Sequence, residues 1–348
     1  RIGAKTLVLE MGADHQGDLA WLIGIARPDV AVITAVAPAH AEYIGTIDEI
    51  SREKATLVRS LPKSGLAVLN ADDPRVTAMH KEAEADATYV GESEGSDVRL
   101  RDVTVSTETD EYGHVMPRGI EVVLEVGAAA PPNAGQVVRF ELQGTIGHPQ
   151  AWAAGAAIAV ARALDVLPEK AVERLKRDYH GIAGRTRIIP GIKFTALIDD
   201  TYNAASPTAV VSGLRDVASI PIEKPSQRRI AALGDMRELG AYSDDAHRTV
   251  GHEVAAQGFD MLVTCGTLAR AIASAAREAG MPDGTVMSYD STEEGGMALQ
   301  SLLQSGDIVY VKGSQGSRME KVVKELMAEP LQAPFLLVRM TQDWVGKA

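Results

Sequence analysis

The chain has 348 residues, of which 45% are hydrophobic and 24% are charged, and its net charge is −12 with the histidines neutral. This composition is ordinary for a globular protein with a core, and the length favours two domains. The acidic balance argues against nonspecific binding to nucleic acid or to an anionic membrane, because both need a basic surface. Cys265 is the only cysteine, which excludes an internal disulfide and a cysteine-based zinc site and fits a reducing cytoplasm.

The N-terminal residues show neither a membrane anchor nor a leader. No segment of the chain approaches the ~18 consecutive apolar residues that a membrane span requires. The first residues also lack the basic, apolar and small-residue order of a signal peptide. A strand-like apolar run at residues 6–9 begins almost at Arg1, and we therefore expect the chain to lack the front of a longer protein.

Apolar runs and helical spacings alternate in the first part of the chain, as in parallel βαβ units. The predicted strands are residues 6–9, 30–36 and 66–69, and the predicted helices are 19–26 and 47–60. Alternating strands at 98–103, 120–126 and 137–142 indicate a half-exposed antiparallel part. Two predicted helices, 150–164 and 168–178, follow them.

A second βα alternation begins near residue 192. Its predicted strands are residues 194–198, 230–233, 261–264 and 308–311, and its predicted helices are 207–217, 244–257, 268–279 and 319–327. The sequence therefore predicts two α/β domains, residues 1–183 and 184–348.

Three side chains of the first domain are candidates for a ligand site. Glu10 ends the first predicted strand, His40 follows the next strand, and Lys54 lies on the helix after that. Open α/β sheets bind ligands at the carboxyl ends of their strands, and glutamate oxygens suit Mg²⁺. Each residue taken singly is more often a solvated surface or loop residue, so the hypothesis depends on their order and placement.

Two strings of the second domain have sharper ligand-binding character. Residues 199–204 read DDTYNA after a strand and could grip the sugar and base of a nucleotide, although a capped helix start has the same composition. Residues 312–318 read KGSQGSR between a buried strand and a helix, which suits an anion or a plain surface loop. The chain contains neither the phosphate-binding G-x-x-x-x-G-K-[ST] nor a helix-opening G-x-G-x-x-G.

In this order, the strings resemble the Mur ligase family of ATP-dependent amide-forming enzymes of cell-wall synthesis. The segments that carry the resemblance are residues 10–54, 70–74, 199–207, 234–240 and 312–318. The resemblance covers nearly the whole chain and implies the latter part of a central ATPase domain followed by a C-terminal Rossmann-like domain. The UDP-binding domain and the phosphate loop would lie upstream of Arg1.

The resemblance also implies a metal and catalytic site. Glu10, His40 and Lys54 would be ligands of Mg²⁺, and Lys54 would be carbamylated, which turns an ammonium into a carboxylate-like ligand. Lys312 and its glycine loop would face the incoming amine or the phosphates. Lys54, His40 and Lys312 are therefore the implied catalytic residues.

ATP would be held by a second implied set. Arg185 would contact its phosphates across the domain boundary, and Asp200, Tyr202 and Asn203 would hold its ribose and base. His148 belongs to the G-x-H motif of the family and is assigned to the same nucleotide site.

The implied reaction converts a peptide carboxylate to an acyl phosphate, which an amine then attacks with release of phosphate. The implied substrates are a UDP-MurNAc-peptide and D-Ala-D-Ala, with ATP and Mg²⁺ as cofactors. Domain closure would exclude water that hydrolyses the acyl phosphate. We expect a cytoplasmic monomer that binds neither nucleic acid nor membrane.

Three alternatives remain open. A binding or scaffold module is favoured by Trp152, which stands where the family usually has an adenine-binding asparagine, and by residues 34–37, which lack the usual Asn and Gly. The intact candidate set favours an enzyme, although the chain by itself is expected to be inactive without a phosphate loop. Residues 199–203 argue against a Mur-type ligase acting on another amine, and the missing glycine fingerprint argues against a dehydrogenase.

Overall fold

The computed structural model of the protein describes residues 5–37, 41–127, 135–341 and 344. The chain forms two six-stranded sheets with helices packed on them, which confirms the predicted α/β class. The first lobe comprises the first sheet and the helices up to residue 178. The second lobe comprises the second sheet, which begins at residue 187, and the helices between and after its strands. Among the described residues, no helix combines the length and apolar character that a membrane crossing needs.

The first sheet has its strands in sequence order. They are β1 (Val30–Ile33), β2 (Leu66–Asn70), β3 (Asp86–Gly91), β4 (Val98–Thr109), β5 (Val115–Val126) and β6 (Gln136–Gln143). Strands β1 to β4 pair in parallel, whereas β4, β5 and β6 pair antiparallel, as the alternating pattern predicts. The parallel half places the carboxyl ends of β1 and β2 at one edge, where ligands bind in such sheets.

The strand predicted at residues 6–9 is wrong. These residues are not part of either sheet, and Leu7 and Val8 are 74% and 88% exposed. A strand needs a hydrogen-bonding neighbour as well as an apolar sequence, and β1 forms the edge of the sheet. Glu10 therefore does not end a strand, contrary to the sequence prediction.

In the described part of the first lobe there are six α-helices. They are α1 (Asp18–Ile25), α2 (Ala41–Ile44), α3 (Ile47–Arg59), α4 (Pro74–Ala78), α5 (His148–Ala163) and α6 (Pro168–Asp178). Helix α3 begins with a capping box, in which Thr46 and Glu49 satisfy each other's backbone N–H groups. Asp73 caps α4, which the sequence analysis did not predict.

The second sheet has the order β11-β10-β9-β12-β8-β7. Its strands are β7 (Arg187–Gly191), β8 (Thr195–Asp200), β9 (Arg229–Gly234), β10 (Met261–Cys265), β11 (Val286–Tyr289) and β12 (Ile308–Lys312). Only β7 is antiparallel to its neighbour, and the five other strands are parallel. Every residue of β8, β10 and β12 is buried, because helices cover both faces of the sheet.

Further α-helices with described bounds belong to the second lobe. They are α7 (Pro207–Ala218), α8 (Ser243–Ala256), α9 (Arg270–Glu278), α10 (Thr292–Leu302), α11 (Glu320–Leu326) and α12 (Ala333–Leu336). Ser206 caps α7, and Pro207 occupies its first position, where a missing N–H group costs nothing. Strands β3, β7 and β11 and helices α2, α10 and α12 are further elements that the sequence analysis did not predict.

The two lobes share an apolar cluster and a hairpin contact. One cluster of buried residues extends from the first sheet and α5 to the face of the second sheet beneath α7, α8 and α9. The hairpin of β4 and β5 reaches the amino-terminal edge of the second sheet. There the buried Gln227 amide accepts from Val115 N at 3.3 Å and donates to Val115 O at 2.7 Å, and the rings of Tyr112 and Phe194 lie 4.7 Å apart.

Candidate active site

A buried ion pair occupies the carboxyl edge of the second sheet. Strand pairing places Lys312 opposite Asp200, and Lys312 Nζ donates to Asp200 Oδ2 at 2.7 Å. The hydroxyl of Tyr310 donates to the same oxygen at 2.9 Å. Burial raises the pKa of Tyr310 well above its ordinary value, so that the hydroxyl remains a donor. Asp200 and Lys312 are both buried, so the pair lies within the protein and not in open solvent.

The same lysine holds the loop that follows β8. Lys312 Nζ also donates to Asn203 O at 2.9 Å, and Ser314 Oγ donates to Ala204 O at 3.3 Å. The backbone N–H of Gln315 reaches Asn203 Oδ1 at 3.4 Å. The two strings singled out in the sequence, residues 199–204 and 312–318, therefore contact each other. Because the Lys312 ammonium is engaged by the loop, its predicted role towards a substrate stays a prediction.

Asp199 connects this loop to the segment between the two lobes. Its carboxylate is fully buried and accepts from Gly184 N at 2.9 Å and from the Thr201 hydroxyl at 2.6 Å. Burial raises the pKa of Asp199 to about 6, against the lowering effect of these hydrogen bonds. In return, Tyr202 N donates to Gly184 O at 3.0 Å. The 199–203 loop and the interlobe segment, residues 179–186, are thus joined by hydrogen bonds in which each is both donor and acceptor.

Arg185 stands on the exposed side of this junction. Its guanidinium carbon lies 4.1 Å from the centroid of the Tyr202 ring, which is a cation–π contact. Arg185 is exposed, and Tyr202 is 43% exposed. The pair therefore offers a cation and an aromatic face to a ligand in solvent, and no acid among the described residues forms an ion pair with Arg185.

The carboxyl edge of the first sheet is organised by backbone contacts. After β1, Thr34 O accepts from Asn70 Nδ2 at 2.7 Å, and Val36 N donates to Asp73 Oδ2 at 2.7 Å. The ends of β1 and β2 therefore converge, as the parallel pairing requires. Asn70 and Asp73 belong to residues 70–74, one of the segments that the sequence analysis singled out.

Lys54 joins this edge from α3. Its ammonium donates to Ala35 O at 2.9 Å, and the side chain is half-buried. Burial lowers the pKa of Lys54, and the charge of Asp73 opposes that effect only partly. A lysine with a lowered pKa has a larger neutral fraction, which is the nucleophilic form of the amine.

The other two predicted metal ligands are not brought together with Lys54 in the described residues. Glu10 is exposed and makes no hydrogen bond or ion pair in the described part of the chain. His40 lies outside the described residues. Across residues 5–37, 41–127 and 135–341, no group of three or more histidines, cysteines and acids is placed to hold a metal ion. The predicted Mg²⁺ site stays a prediction.

His148 links the two lobes at the start of α5. Its Nδ1 lies 3.0 Å from the buried Asp216 carboxylate of α7, and its Nε2 lies 3.9 Å from Glu92. The hydrogen bond to Asp216 raises the pKa of His148. Trp152, one turn further along α5, donates its indole N–H to Val90 O at 2.9 Å and packs against the core. Trp152 is therefore a packing residue in this structure.

Sequence reasoning missed several residues that hold the site. Tyr310 and Asp216 are polar groups inside buried or half-buried elements, and a buried hydroxyl or acid normally signals a partner. Arg339, near the end of the chain, donates to the carbonyls of Thr201 and Tyr202. No local pattern connects an arginine with a loop that lies more than a hundred positions away in the sequence.

Two family models match the chain. The model of the Mur ligase middle domain matches residues 1–134, and the model named "Mur ligase, glutamate ligase domain" matches residues 184–315. Together they cover most of the chain, including every strand of the two sheets except β6. The chain therefore belongs to the Mur ligase family.

Particular relatives carry a more specific name. The UDP-N-acetylmuramoyl-tripeptide–D-alanyl-D-alanine ligase of Escherichia coli (strain K12) is 28% identical over 330 residues, which are 92% of this chain and 64% of that protein. The ligase of the same name from Mycobacterium tuberculosis (strain CDC 1551 / Oshkosh) is 31% identical over 346 residues, which are 93% of this chain and 62% of that protein. The chain thus spans somewhat less than two thirds of these relatives.

Solved structures agree with this family. The MurF ligase of Thermotoga maritima in complex with ADP has a TM-score of 0.74 at 24% identity and covers 90% of this chain and 65% of its own, which shows a common fold. MurF from Acinetobacter baumannii has a TM-score of 0.71 at 26% identity, over 90% of this chain and 62% of its own.

Proposed function

We propose that this chain is part of an ATP-dependent ligase that joins the carboxylate of a UDP-MurNAc-tripeptide to the amine of D-Ala-D-Ala in peptidoglycan precursor synthesis. The relatives with that name support the substrates. The observation that carries the proposal is the exposed Arg185–Tyr202 pair, held on a loop that the buried Lys312–Asp200 pair organises. We also propose that the two domains are residues 1–183 and 184–348, since the second family model begins at residue 184.

Arg185 and Tyr202 form the nucleotide side of the proposed site. An exposed arginine suits phosphate oxygens, and an aromatic face suits a base or ribose. Asp200 and Asn203 act through the loop, because Asp200 is hydrogen-bonded to Lys312 at the end of β12 and Asn203 to Gln315 just after that strand. His148 would contribute from the first lobe, where its imidazole is 55% exposed. The ADP in the Thermotoga maritima relative supports an adenine nucleotide as the ligand.

Glu10, His40 and Lys54 form the proposed metal side. Mg²⁺ prefers oxygen ligands, and Glu10 offers a carboxylate without a competing partner in the described residues. An ammonium does not bind a cation, so Lys54 fits only as a carbamate. The lowered pKa of Lys54 favours this modification, because CO₂ reacts with a neutral amine. When bound, Mg²⁺ would neutralise charge that develops on the transferred phosphoryl group.

The proposed reaction has two steps. A carboxylate oxygen attacks the γ-phosphorus of ATP, the bond to ADP breaks, and an acyl phosphate forms. The amine nitrogen then attacks the acyl carbon, and the tetrahedral intermediate expels phosphate and loses a proton to give the amide. The task of Arg185 is to stabilise negative charge on the phosphates, while the loop at residues 199–203 positions the nucleotide.

The test uses the protein expressed from its complete reading frame. We expect phosphate release from ATP that requires both UDP-MurNAc-tripeptide and D-Ala-D-Ala. Lys54→Ala should lower this rate at least a hundredfold with an unchanged melting temperature, whereas Lys321→Ala, at a surface ion pair, should leave it within twofold. Wild-type turnover in Lys54→Ala, with or without bicarbonate, would remove the metal-side assignment.

A non-catalytic binding module is the second candidate function. It is favoured by Trp152, whose indole N–H is directed to Val90 O in the core and not towards a nucleotide. If the protein releases no phosphate with any amine but still binds Mg²⁺·ADP, the result would support the binding module over the ligase. The cytoplasmic location and the monomeric state stay predictions.

A further inference from the structure

Arg339 lies after α12, and its side chain contacts the 199–203 loop. Nη1 donates to Tyr202 O at 2.9 Å, and Nη2 donates to Thr201 O. The side chain is only 6% exposed, and the backbone has φ of +55°, which an arginine rarely adopts. A strained backbone that delivers a buried cation to two successive carbonyls is a specific arrangement.

Glu320 fixes the other side of this arginine. Its carboxylate is fully buried and accepts from Arg339 Nη2 at 3.0 Å and from Arg318 Nε at 2.6 Å. Arg318 ends the loop that follows β12, and it also has a positive φ of 54°. Glu320 therefore connects the end of the chain to the loop that carries Lys312.

We propose that Arg339 is a positioning residue for the nucleotide side of the site, an inference that rests on the proposed function. The two carbonyls that it binds belong to Tyr202, whose ring contacts the Arg185 guanidinium, and to Thr201, the residue before it. Asp199 and Gly184 hold the loop from the interlobe side, and Arg339 holds it from the other side. Removal of the guanidinium frees two carbonyls and loosens the Tyr202 ring on which Arg185 rests.

Only an arginine meets this geometry. The planar guanidinium presents its N–H groups in a fixed fork, so that one side chain can serve Glu320 and two carbonyls at once. A lysine in its place keeps a cation beside Glu320 but presents a single nitrogen. We therefore expect Arg339→Lys to retain the fold and to lose the constraint on the loop.

The experiment compares Arg339→Ala and Arg339→Lys with Arg277→Ala in the protein from the complete reading frame. Arg277 is a control for the same bond types at a more exposed position, because it also binds a carbonyl, Val286 O at 2.7 Å, and a carboxylate, Asp283 at 3.4 Å, away from the site. Calorimetry measures the affinity for Mg²⁺·ADP, and hydrogen exchange measures the protection of the amides at residues 199–204.

We expect both Arg339 variants to bind Mg²⁺·ADP at least tenfold more weakly and to lose protection at residues 199–204, while Arg277→Ala stays within twofold of the wild type. Loss of melting temperature without a change in affinity or local exchange would overturn the positioning role. If the wild type binds no Mg²⁺·ADP, the proposed function fails. The hydrogen-exchange data alone then decide whether Arg339 constrains the loop. Protection lost only at residues 199–204 supports the constraint, and unchanged protection there overturns it.

Discussion

The two halves of the candidate site, one in each lobe, differ in the burial and pairing of their charged side chains. In the second lobe, Asp199, Asp200 and Lys312 are buried and paired or hydrogen-bonded within the protein. In the first lobe, Glu10 is exposed, and Lys54 has a carbonyl as its hydrogen-bond acceptor. The buried charges of the second-lobe half are therefore compensated within the protein, and its Arg185 is exposed to a ligand. In the described part of the first-lobe half, Glu10 has no hydrogen-bond or ion-pair partner.

This difference indicates which half contributes to stability. Buried ion pairs hold a loop in one arrangement, but they are costly when one partner is lost. A half-buried lysine whose hydrogen-bond acceptor is a carbonyl, as in Lys54, adds little to stability and is available for chemistry. Variants of the two halves should therefore separate folding from activity.

The largest effect is expected for Lys312→Met. The substitution leaves Asp200 buried without its cation, and we expect a loss of about 3–5 kcal/mol in the free energy of unfolding, measured by urea denaturation. Lys321→Met is the control, because its ion pair with Glu293 is at the surface, and it should cost less than about 1 kcal/mol. Equal losses in the two variants would show that the Lys312–Asp200 pair contributes no more to stability than a surface ion pair does.

An intermediate effect is expected from the protonation of Asp199. Its pKa is raised from 3.8 to about 6 in the folded protein, so the stability that the protonated form provides is complete below pH 3.8 and is lost as the pH rises through 6. That rise corresponds to about 3 kcal/mol.

The comparison with Asp199→Asn isolates this contribution from other carboxylates. We expect the wild type to lose about 2–3 kcal/mol relative to Asp199→Asn between pH 4 and pH 7, measured as the difference between their free energies of unfolding. A difference that stays constant over this range would show that the Asp199 carboxylate is not destabilised by burial.

The smallest effect is expected for Lys54→Met. Because burial lowers the pKa of Lys54, its charged form is disfavoured in the folded protein, and methionine replaces the stem of the side chain without that cost. We expect the free energy of unfolding at pH 7 to stay within about 1 kcal/mol of the wild type. A loss as large as that of Lys312→Met would place Lys54 among the structural residues.

The sequence analysis predicted the strands whose pattern of apolar residues follows directly from which of their faces are covered. The runs in β8, β9, β10 and β12 are apolar because helices cover them on both sides, and the alternation in β4, β5 and β6 reflects one covered face. Residues 6–9 have the same composition, but an apolar run forms a strand only beside another strand. Composition could not reveal that this partner is missing from the described chain.

The candidate site was predictable only in part, for a related reason. Asp200 and Lys312 end buried strands and Tyr202 follows one, and the parallel topology brings such strand ends together. The partner of His148 is Asp216, 68 positions later, and Lys312 pairs with Asp200 across 112 positions. Such partners depend on how the helices and sheets pack, which local patterns do not encode.

The hairpin of β4 and β5 has a consequence for the molecule as a whole. Gln227 binds the Val115 backbone as a neighbouring strand would, and added bulk at Gly306 would meet the His114 ring at 2.5 Å. Multidomain chains commonly melt in separate steps. Here, unfolding of either sheet would break the contacts between this hairpin and the second sheet and would expose part of the apolar cluster that the lobes share. We therefore expect both lobes to unfold in a single cooperative thermal transition.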